Sequence, residues 1–288
     1  MKKFITVAAA LAIGSMLVLS VPTSVLAATS PVLVGSAGYS VLGGAGVTCT
    51  GSTTTTGAVG VSPDTSITGF PSPCSAGGGT QSNNASAIAA QADAGTAFGA
   101  LNQPCDHSYG AQDLTLLSPL GPGVYCSTSS FTLSGNLNLI GTGVWIFKTV
   151  STIITSPGSS VTGGDPCNVW WRIGSSATLS TTTAFIGTVI AQNGVNALDT
   201  GATLNGRILA LSAGTVTLDA NTISGPTCTV PLKTPVTTTP TTGAFGATPN
   251  GVPLVLIALA CLAVGILVSS GGLWIVRSAG GGPRAPRI

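Results

Sequence analysis

Charge is the scarcest property of this sequence. Its 288 residues contain no glutamate, and seven aspartates stand against nine lysines and arginines. Most of the basic residues lie near the two ends, so the stretch 28–251 has four bases against seven acids and a formal charge of −3. Proteins bind nucleic acid through clustered cations that displace counterions from phosphates, and this stretch has no such cluster. The sequence therefore argues against a nucleic-acid partner.

Residues typical of catalytic sites are also few. His107 is the single histidine, it follows Asp106 in an expected loop, and no G-x-S-x-G turn presents a serine nucleophile. No local motif singles out a pair of aspartates for sugar hydrolysis, although a hydrolase of that kind is the third alternative. The close C-x-x-C pairs typical of zinc sites are absent. The sequence thus predicts a protein that is not an enzyme and has no cofactor or metal.

Cysteine points to disulfides. Six of the seven cysteines precede the apolar C-terminal run, and they are Cys49, Cys74, Cys105, Cys126, Cys167 and Cys228. Six cysteines admit many pairings, and sequence alone does not settle the connectivity. The favoured scheme pairs neighbours along the chain, because each bridge would then close a loop-rich segment of moderate length. Zinc binding is the rival interpretation.

The N-terminus has the layout of a secretory signal peptide. Lys2 and Lys3 precede an apolar run that ends near Leu19, and small residues follow up to Ala27. We predict that residues 1–27 are removed on export. The alternative is an uncleaved N-terminal membrane anchor. Export to an oxidising compartment permits disulfides, which agrees with the cysteine content.

The C-terminal part predicts a membrane tether. Residues 252–276 carry no charge and are long enough to cross a bilayer as a helix. The arginines of the tail 277–288 would stay in the cytoplasm, and the Thr- and Pro-rich segment 229–250 favours an extended stalk. The domain 31–228 would then lie outside the cell on a single-pass anchor, with its N-terminus out. Removal of the tail by a sortase-like enzyme is the alternative, but no L-P-x-T-G motif precedes the run.

Most of the domain 31–228 has strand character, because Ser, Thr, Val and Ile alternate between turns at Gly and Pro. The exception is the alanine-rich stretch 84–101, which predicts one helix. Either Asn83 or Asn84 can cap its first turn.

Repeated triplets in the second half indicate stacked coils. They are Thr132-Leu133-Ser134, Thr178-Leu179-Ser180, Thr203-Leu204-Asn205 and Thr217-Leu218-Asp219, with Thr152-Ile153-Ile154 as a looser copy. A second echo relates 187–191 to 206–210. Side chains alternate across a strand, so the central Leu or Ile would point inward and the flanking Thr outward. The uneven spacing of 14 to 26 residues predicts an irregular solenoid with loops of variable length.

These segments resemble the ice-binding-like family of secreted microbial proteins, also described as a domain of unknown function. The resemblance is dense over 167–228, and its motifs are Cys167-Asn168-Val169-Trp170-Trp171, Gly174-Ser175-Ser176-Ala177-Thr178-Leu179 and Thr200-Gly201-Ala202-Thr203-Leu204-Asn205-Gly206-Arg207. Further matching segments are 35–42, 57–63, 67–71, 121–125 and 144–147. The resemblance covers essentially the whole domain.

The resemblance implies a mainly β fold, an irregular right-handed β-solenoid of triangular section with one long α-helix packed alongside. The predicted C-terminal transmembrane helix adds to this fold. The resemblance also implies that Cys167 pairs with Cys228, and that the domain adsorbs to ice through one flat face and so inhibits ice growth or recrystallisation.

A rigid face of parallel strands would repeat its outward methyl and hydroxyl groups at the strand spacing. The candidate ice-contacting residues are Thr152, Thr178, Thr200, Thr203 and Thr217. Some relatives repeat a T-[AG]-x-[TN] pattern, which only Thr200-Gly201-Ala202-Thr203 fits cleanly here. The expected function is that of a cell-surface-anchored, antifreeze-like protein whose partner is ice or ordered water.

The alternative function is a surface adhesin or envelope structural module that binds polysaccharide or another cell. Trp170 and Trp171 would point in opposite directions along a strand, so one would fill the core and the other could stack on a sugar.

Overall fold

The computed structural model describes residues 27–228, apart from residue 212. The predicted stalk, transmembrane helix and cytoplasmic tail, and all but the last residue of the predicted signal peptide, lie outside these residues. The described part has one α-helix, α1 (Ala85–Ala100), three short 3-10 helices (Ser36–Gly38, Leu114–Leu117 and Pro166–Asn168) and 22 short strands.

The strands, numbered in chain order, are β1 (Tyr39–Gly43), β2 (Gly46–Thr50), β3 (Thr54–Thr55), β4 (Ala58–Val61), β5 (Ile67–Thr68), β6 (Ser75–Ala76), β7 (Thr80–Ser82), β8 (His107–Tyr109), β9 (Gln112–Asp113), β10 (Gly123–Ser127), β11 (Phe131–Leu133), β12 (Asn136–Leu139), β13 (Trp145–Thr149), β14 (Ile153–Thr155), β15 (Ser160–Gly163), β16 (Val169–Ile173), β17 (Ala177–Leu179), β18 (Ala184–Ala191), β19 (Val195–Leu198), β20 (Thr203–Ala210), β21 (Thr215–Asp219) and β22 (Thr222–Ile223).

The strands pair in parallel and form three faces of a coiled chain. Face a comprises β8, β10, β13, β16, the second halves of β18 and β20, β1, β4 and β7. Face b comprises β9, β11, β14, β17, β19, β21, β2 and β5. Face c comprises β12, β15, the first halves of β18 and β20, β22, β3 and β6. Each full coil contributes one strand to each face, so the domain is a β-solenoid, as predicted.

Glycine makes the corner between faces c and a possible. β18 and β20 each serve both faces, and they turn the corner at Gly187 and Gly206, which pair with each other. The φ angle of Gly187 is 100°, a backbone conformation that side chains disfavour. A Cβ at Gly206 would overlap the carbonyl oxygen of Gly187. The sequence similarity between 187–191 and 206–210 therefore arises because the two segments occupy equivalent positions in two stacked coils.

The coils are irregular in length. In the ladder of face a, Tyr125 pairs with Phe147, Phe147 with Trp171, Trp171 with Val189 and Val189 with Ile208. Those steps are 22, 24, 18 and 19 residues long. These unequal coil lengths account for the uneven spacing of the repeat in the sequence.

The stacking order of the coils differs from their order along the chain. β1 lies between β20 and β4, and β2 lies between β21 and β5. The N-terminal coils therefore stack on the last C-terminal coil. Arg207 fixes this junction from a buried position, because its guanidinium donates to the carbonyl oxygens of Ala37 and Pro226 at 2.9 and 2.7 Å.

An aromatic stack fills the interior along the solenoid axis. Tyr125, Phe147, Trp171 and Phe185 follow one another with ring centroids 4.2 to 5.4 Å apart. Offset and tilted stacking of this kind adds to the burial of apolar area. Trp171 has no exposed surface, so the indole stabilises the core.

Helix α1 packs along face a, as the resemblance implied. The side chain of Asn84 caps the helix by accepting from the backbone N–H of Ala87 at 3.0 Å. The inward residues are small, which lets the helix lie close to the sheet, and they are Ala87, Ala90, Ala94 and Ala97, with Phe98 at the C-terminal end. Trp170 is buried under this layer and not exposed, so neither indole is free to stack on a sugar.

Two cations hold the C-terminal end of α1. Arg172 lies 3.9 Å from the ring centroid of Phe98 and donates from Nε to the carbonyl oxygen of the same residue at 3.0 Å. Lys148 donates to the carbonyl oxygen of Gln103 at 2.7 Å. Burial, and then the neighbouring Arg172, lower the pKa of Lys148. Basic groups at a helix C-terminus are also favoured by the helix dipole.

Three disulfides join neighbouring cysteines along the chain, which is the sequential scheme. They are Cys49–Cys74, Cys105–Cys126 and Cys167–Cys228. Within the described residues, no helix is both long and apolar enough to span a membrane.

Candidate functional site

Face b presents a straight central row of outward side chains. The ladder pairs them strand by strand in the order Thr68, Thr48, Thr217, Ala197, Thr178, Ile154, Thr132 and Asp113. Eight parallel strands at the usual separation make this row about 34 Å long. Inward neighbours such as Leu218 and Leu179 are buried in the core, which keeps the row in register with the coils.

Threonine hydroxyls in this row are free to bind water. Within the described part of the chain, the side chains of Thr48, Thr68, Thr132, Thr178 and Thr217 make no hydrogen bond to protein atoms. Thr is β-branched and has restricted χ1 freedom, so each hydroxyl and methyl is held near one position. The row therefore offers a repeating pattern of methyls and hydroxyls with little side-chain entropy to lose on contact.

The charged groups of face b lie at its margins. Asp199 and Asp219 flank the central row at the corner with face c, and Asp113 ends the row on the terminal strand. Burial raises the pKa of Asp113, but hydrogen bonds from Ser134 and Thr115 outweigh it and lower the pKa overall. The middle of the face is free of charge, and Ile154 with 47% of its surface exposed adds an apolar contact there.

The comparisons with known proteins agree with this fold. A family model described as ice-binding-like matches residues 41–224. An ice-binding protein of Nostoc sp. (strain HG1) is 38% identical over 232 residues, which are 77% of this chain and 84% of that protein. The chain belongs to the ice-binding-like family. Membership supports ice binding as the function and gives no indication of catalysis.

Solved structures of the ice-binding-like family have the same architecture. An ice-binding protein from an Antarctic biological consortium superposes with a TM-score of 0.64 at 35% identity, over 72% of this chain and 96% of that one. One from the ascomycete Antarctomyces psychrotrophicus gives 0.63 at 34% identity, over 69% of this chain and 100% of that one. Almost the whole of each solved chain matches this solenoid, so a unit of this extent is folded in both crystal structures.

The five threonines that were predicted to contact ice do not lie together on one face of the structure. Thr178 and Thr217 lie in the central row of face b. Thr152 lies just before β14 at the margin of the same face, where its hydroxyl donates to Ser130 Oγ at 3.1 Å. Thr200 lies in the turn after β19 and donates to Asp219. Thr203 begins β20 on face c.

The T-G-A-T segment therefore spans a corner and does not lie on one face. Gly201 has a φ angle of 75° in the turn between β19 and β20, so Thr200 and Thr203 end up on either side of it. The rung of face b in this coil is Asn196-Ala197-Leu198, where alanine stands in the position that threonine occupies on five other rungs. At this coil the triplet Thr203-Leu204-Asn205 is a rung of face c and not of face b.

Three threonines of the row were absent from the predicted set: Thr48, Thr68 and Thr132. Thr132 belongs to the first of the repeated triplets, Thr132-Leu133-Ser134, although it was not among the predicted contact residues. Thr48 and Thr68 belong to N-terminal coils, which join the row only because β2 pairs with β21 and β5 pairs with β2, so a local repeat search does not find them. The sequence signal for Thr48 is the alternation of apolar and polar residues in Gly46-Val47-Thr48-Cys49-Thr50.

His107 takes part in packing. Its ring stacks on Tyr125 with centroids 4.9 Å apart, at the end of the aromatic stack. Among the described residues, no group of three or more His, Cys, Asp or Glu side chains is placed to hold a metal ion.

Proposed function

We propose that the domain adsorbs to ice through face b and thereby inhibits ice growth or recrystallisation. The observation that carries the proposal is the central row of Thr48, Thr68, Thr132, Thr178 and Thr217, held in register on a ladder whose one charged member, Asp113, lies at its end. Face a is covered by α1, whereas no helix of the described residues packs on face b.

The chemistry of the row suits a lattice of water. Each threonine hydroxyl can donate one hydrogen bond and accept two, and bridging water retains nearly the enthalpy of a direct bond. The methyl groups between the hydroxyls form no hydrogen bonds, so they do not compete for the neighbouring water molecules. Charged and flexible side chains would bind their own hydration shells and lose rotamer entropy on contact, and they are confined to the margins.

The test uses the soluble unit, residues 28–228, which contains all three disulfides. Thr178→Tyr or Thr217→Tyr places a bulky ring in the middle of face b. We expect the concentration needed to inhibit recrystallisation to rise about tenfold, equivalent to ~1.4 kcal/mol of binding. Thr96→Tyr, on the exposed side of α1, is the matched control and should leave activity unchanged.

Unfolding temperature and circular dichroism establish that each variant is folded. Wild-type protein that performs no better than an inert protein at equal concentration would contradict ice binding and favour the adhesin alternative. Active protein whose Thr178→Tyr and Thr217→Tyr variants match the control would contradict the choice of face b.

We further propose that the domain is held outside the cell membrane, with 252–276 as anchor and 229–250 as stalk. One feature of the described residues supports this arrangement. Cys228 is tied to Cys167 in the 3-10 helix between β15 and β16, which is the corner of faces c and a and lies opposite face b. The described chain thus ends on the side of the solenoid away from face b.

The localisation is testable by truncation. In its host, the full chain should fractionate with membranes and be removed from intact cells by an external protease. A chain that stops at residue 250 should appear in the medium. Full-length protein found free in the medium, or protected from the protease, would contradict the proposal.

A further inference from the structure

We infer that face c carries a second ice-contacting surface, formed by a ladder of Thr203, Thr222 and Thr54, so that the domain adsorbs to more than one plane of ice. This inference rests on the proposed function, and it assigns a separate role to a surface that the proposal does not use. We call these three residues the face c ladder.

The face c ladder has the same geometry as the row on face b. Thr203 pairs with Thr222, and Thr222 pairs with Thr54. Ala184 and Ser75 extend the row at its two ends. All five residues are exposed. Within the described residues, the hydroxyls of Thr203, Thr222 and Thr54 make no hydrogen bond to the protein, so they are available to water.

The chemistry of face c selects ice over other ligands. The second outward row consists of Asn138, Thr162, Ile186, Asn205, Ser224 and Thr56. In these two rows of the described structure no side chain is charged, so no site for an ionic ligand exists there. Aromatic rings, on which sugars stack, are absent from both rows as well. What remains is an uncharged array of hydroxyl, amide and methyl groups at the strand spacing.

Face c is continuous with face b in two neighbouring coils, which lie next to the terminal coil of β5 and β6. The coil that contains Thr222 also contains Thr217, and the next coil contains both Thr54 and Thr48. The two threonine ladders therefore run on either side of the corner that joins the faces, where Asp199 and Asp219 lie. A crystal that grows past one ladder meets the other.

The corner between the two ladders is rigid. Asn221 is buried in it, and its amide donates to the carbonyl oxygens of Asp199 and Ala202 at 2.9 and 3.2 Å. Its backbone N–H donates to Thr53 Oγ1 at 3.0 Å. The Cys49–Cys74 disulfide closes the next turn of the same corner. The faces thus keep a fixed angle, and each presents its ladder in a defined orientation.

The experiment is binding of fluorescently tagged 28–228 to a single ice crystal, in which the labelled planes are identified by their orientation. Thr217→Tyr blocks face b and Thr222→Tyr blocks face c with the same chemical change on the same coil. Thr54→Tyr is a second face c variant, and Thr96→Tyr on α1 is the control. Circular dichroism and unfolding temperature verify folding.

We expect wild type and control to label two sets of planes. Thr217→Tyr should retain one set, Thr222→Tyr and Thr54→Tyr should retain the other, and the Thr217→Tyr/Thr222→Tyr double variant should label none. If both face c variants label the same planes as wild type, the inference is overturned while the proposed function stands. If wild type labels no plane, the proposed function itself fails.

Discussion

At the scale of single residues, Asp113 shows how an acidic group stabilises the last coil. Its carboxylate accepts from the backbone N–H of Thr115 at 2.9 Å and from both the hydroxyl and the backbone N–H of Ser134. These bonds join the terminal strand β9 and the 3-10 helix after it to the next coil. Burial opposes the charge, yet the donors outweigh it and lower the pKa of Asp113.

The lowered pKa predicts a pH dependence of stability. The charged carboxylate stabilises the folded state above the unfolded pKa of about 3.9, and this contribution is lost as the pH falls through the lower folded pKa. Asp113→Asn should therefore reduce the free energy of unfolding at neutral pH by about 1 kcal/mol, a modest value because the site is largely open to solvent. Urea unfolding of both proteins over a pH series is the measurement. A difference that persists unchanged into strong acid would contradict this role.

At the scale of secondary-structure elements, α1 contains two glycines that no contact requires. A Cβ at Gly95 or Gly99 meets no atom within 4 Å. Gly95→Ala and Gly99→Ala should each raise the free energy of unfolding by about 0.5–1 kcal/mol, because alanine loses less backbone entropy in a helix. Gly206→Ala makes the same chemical change at a corner where the new Cβ overlaps a backbone carbonyl, so it should destabilise by roughly 3 kcal/mol or more.

Thermal and urea unfolding of these three variants test the two environments together. Stabilisation by Gly206→Ala would contradict the close packing described for the corner. Destabilisation by both Gly95→Ala and Gly99→Ala would contradict the open helix surface.

The elements themselves were predictable from sequence, whereas their assignment to faces was not. Asn84 and the alanine-rich stretch that follows specify α1 through local capping and propensity. Alternation of Thr with Leu correctly gives the inward and outward sides at Thr178, Thr203 and Thr217. The face, however, depends on the number of residues in each corner. The turn at Gly201 places Thr203 on face c, and the spacing between triplets in the sequence does not reveal this change of face.

At the scale of the whole molecule, the closure of N-terminal coils on C-terminal coils determines which threonines share a surface. Thr48 and Thr217 pair although they are far apart in the chain. Arg207 and Gln91 bridge this junction, the latter by donating to the carbonyl oxygens of Gly43 and Ala210 at 3.0 and 2.9 Å. Burial lowers the pKa of Arg207. No local pattern predicts such a contact, so the resemblance supplied the fold while the composition of face b had to come from the register of the ladders.

The Cys167–Cys228 disulfide acts at this same scale, because it closes the longest of the three loops, with a sequence separation of 61. It ties the end of the described chain to the middle of the stack, at the corner opposite face b. Cys167→Ser with Cys228→Ser should lower the free energy of unfolding by about 2–4 kcal/mol, since the unfolded chain regains the entropy of an open loop. Ice binding by the folded variant should be unchanged, because the threonine rows of faces b and c contain neither cysteine. Unfolding temperature and recrystallisation inhibition near 0 °C, measured on the same samples, separate the two effects. An unchanged unfolding temperature would mean that the coils hold this corner without the bridge, and lost ice binding in a folded variant would mean that the bridge orients the threonine faces.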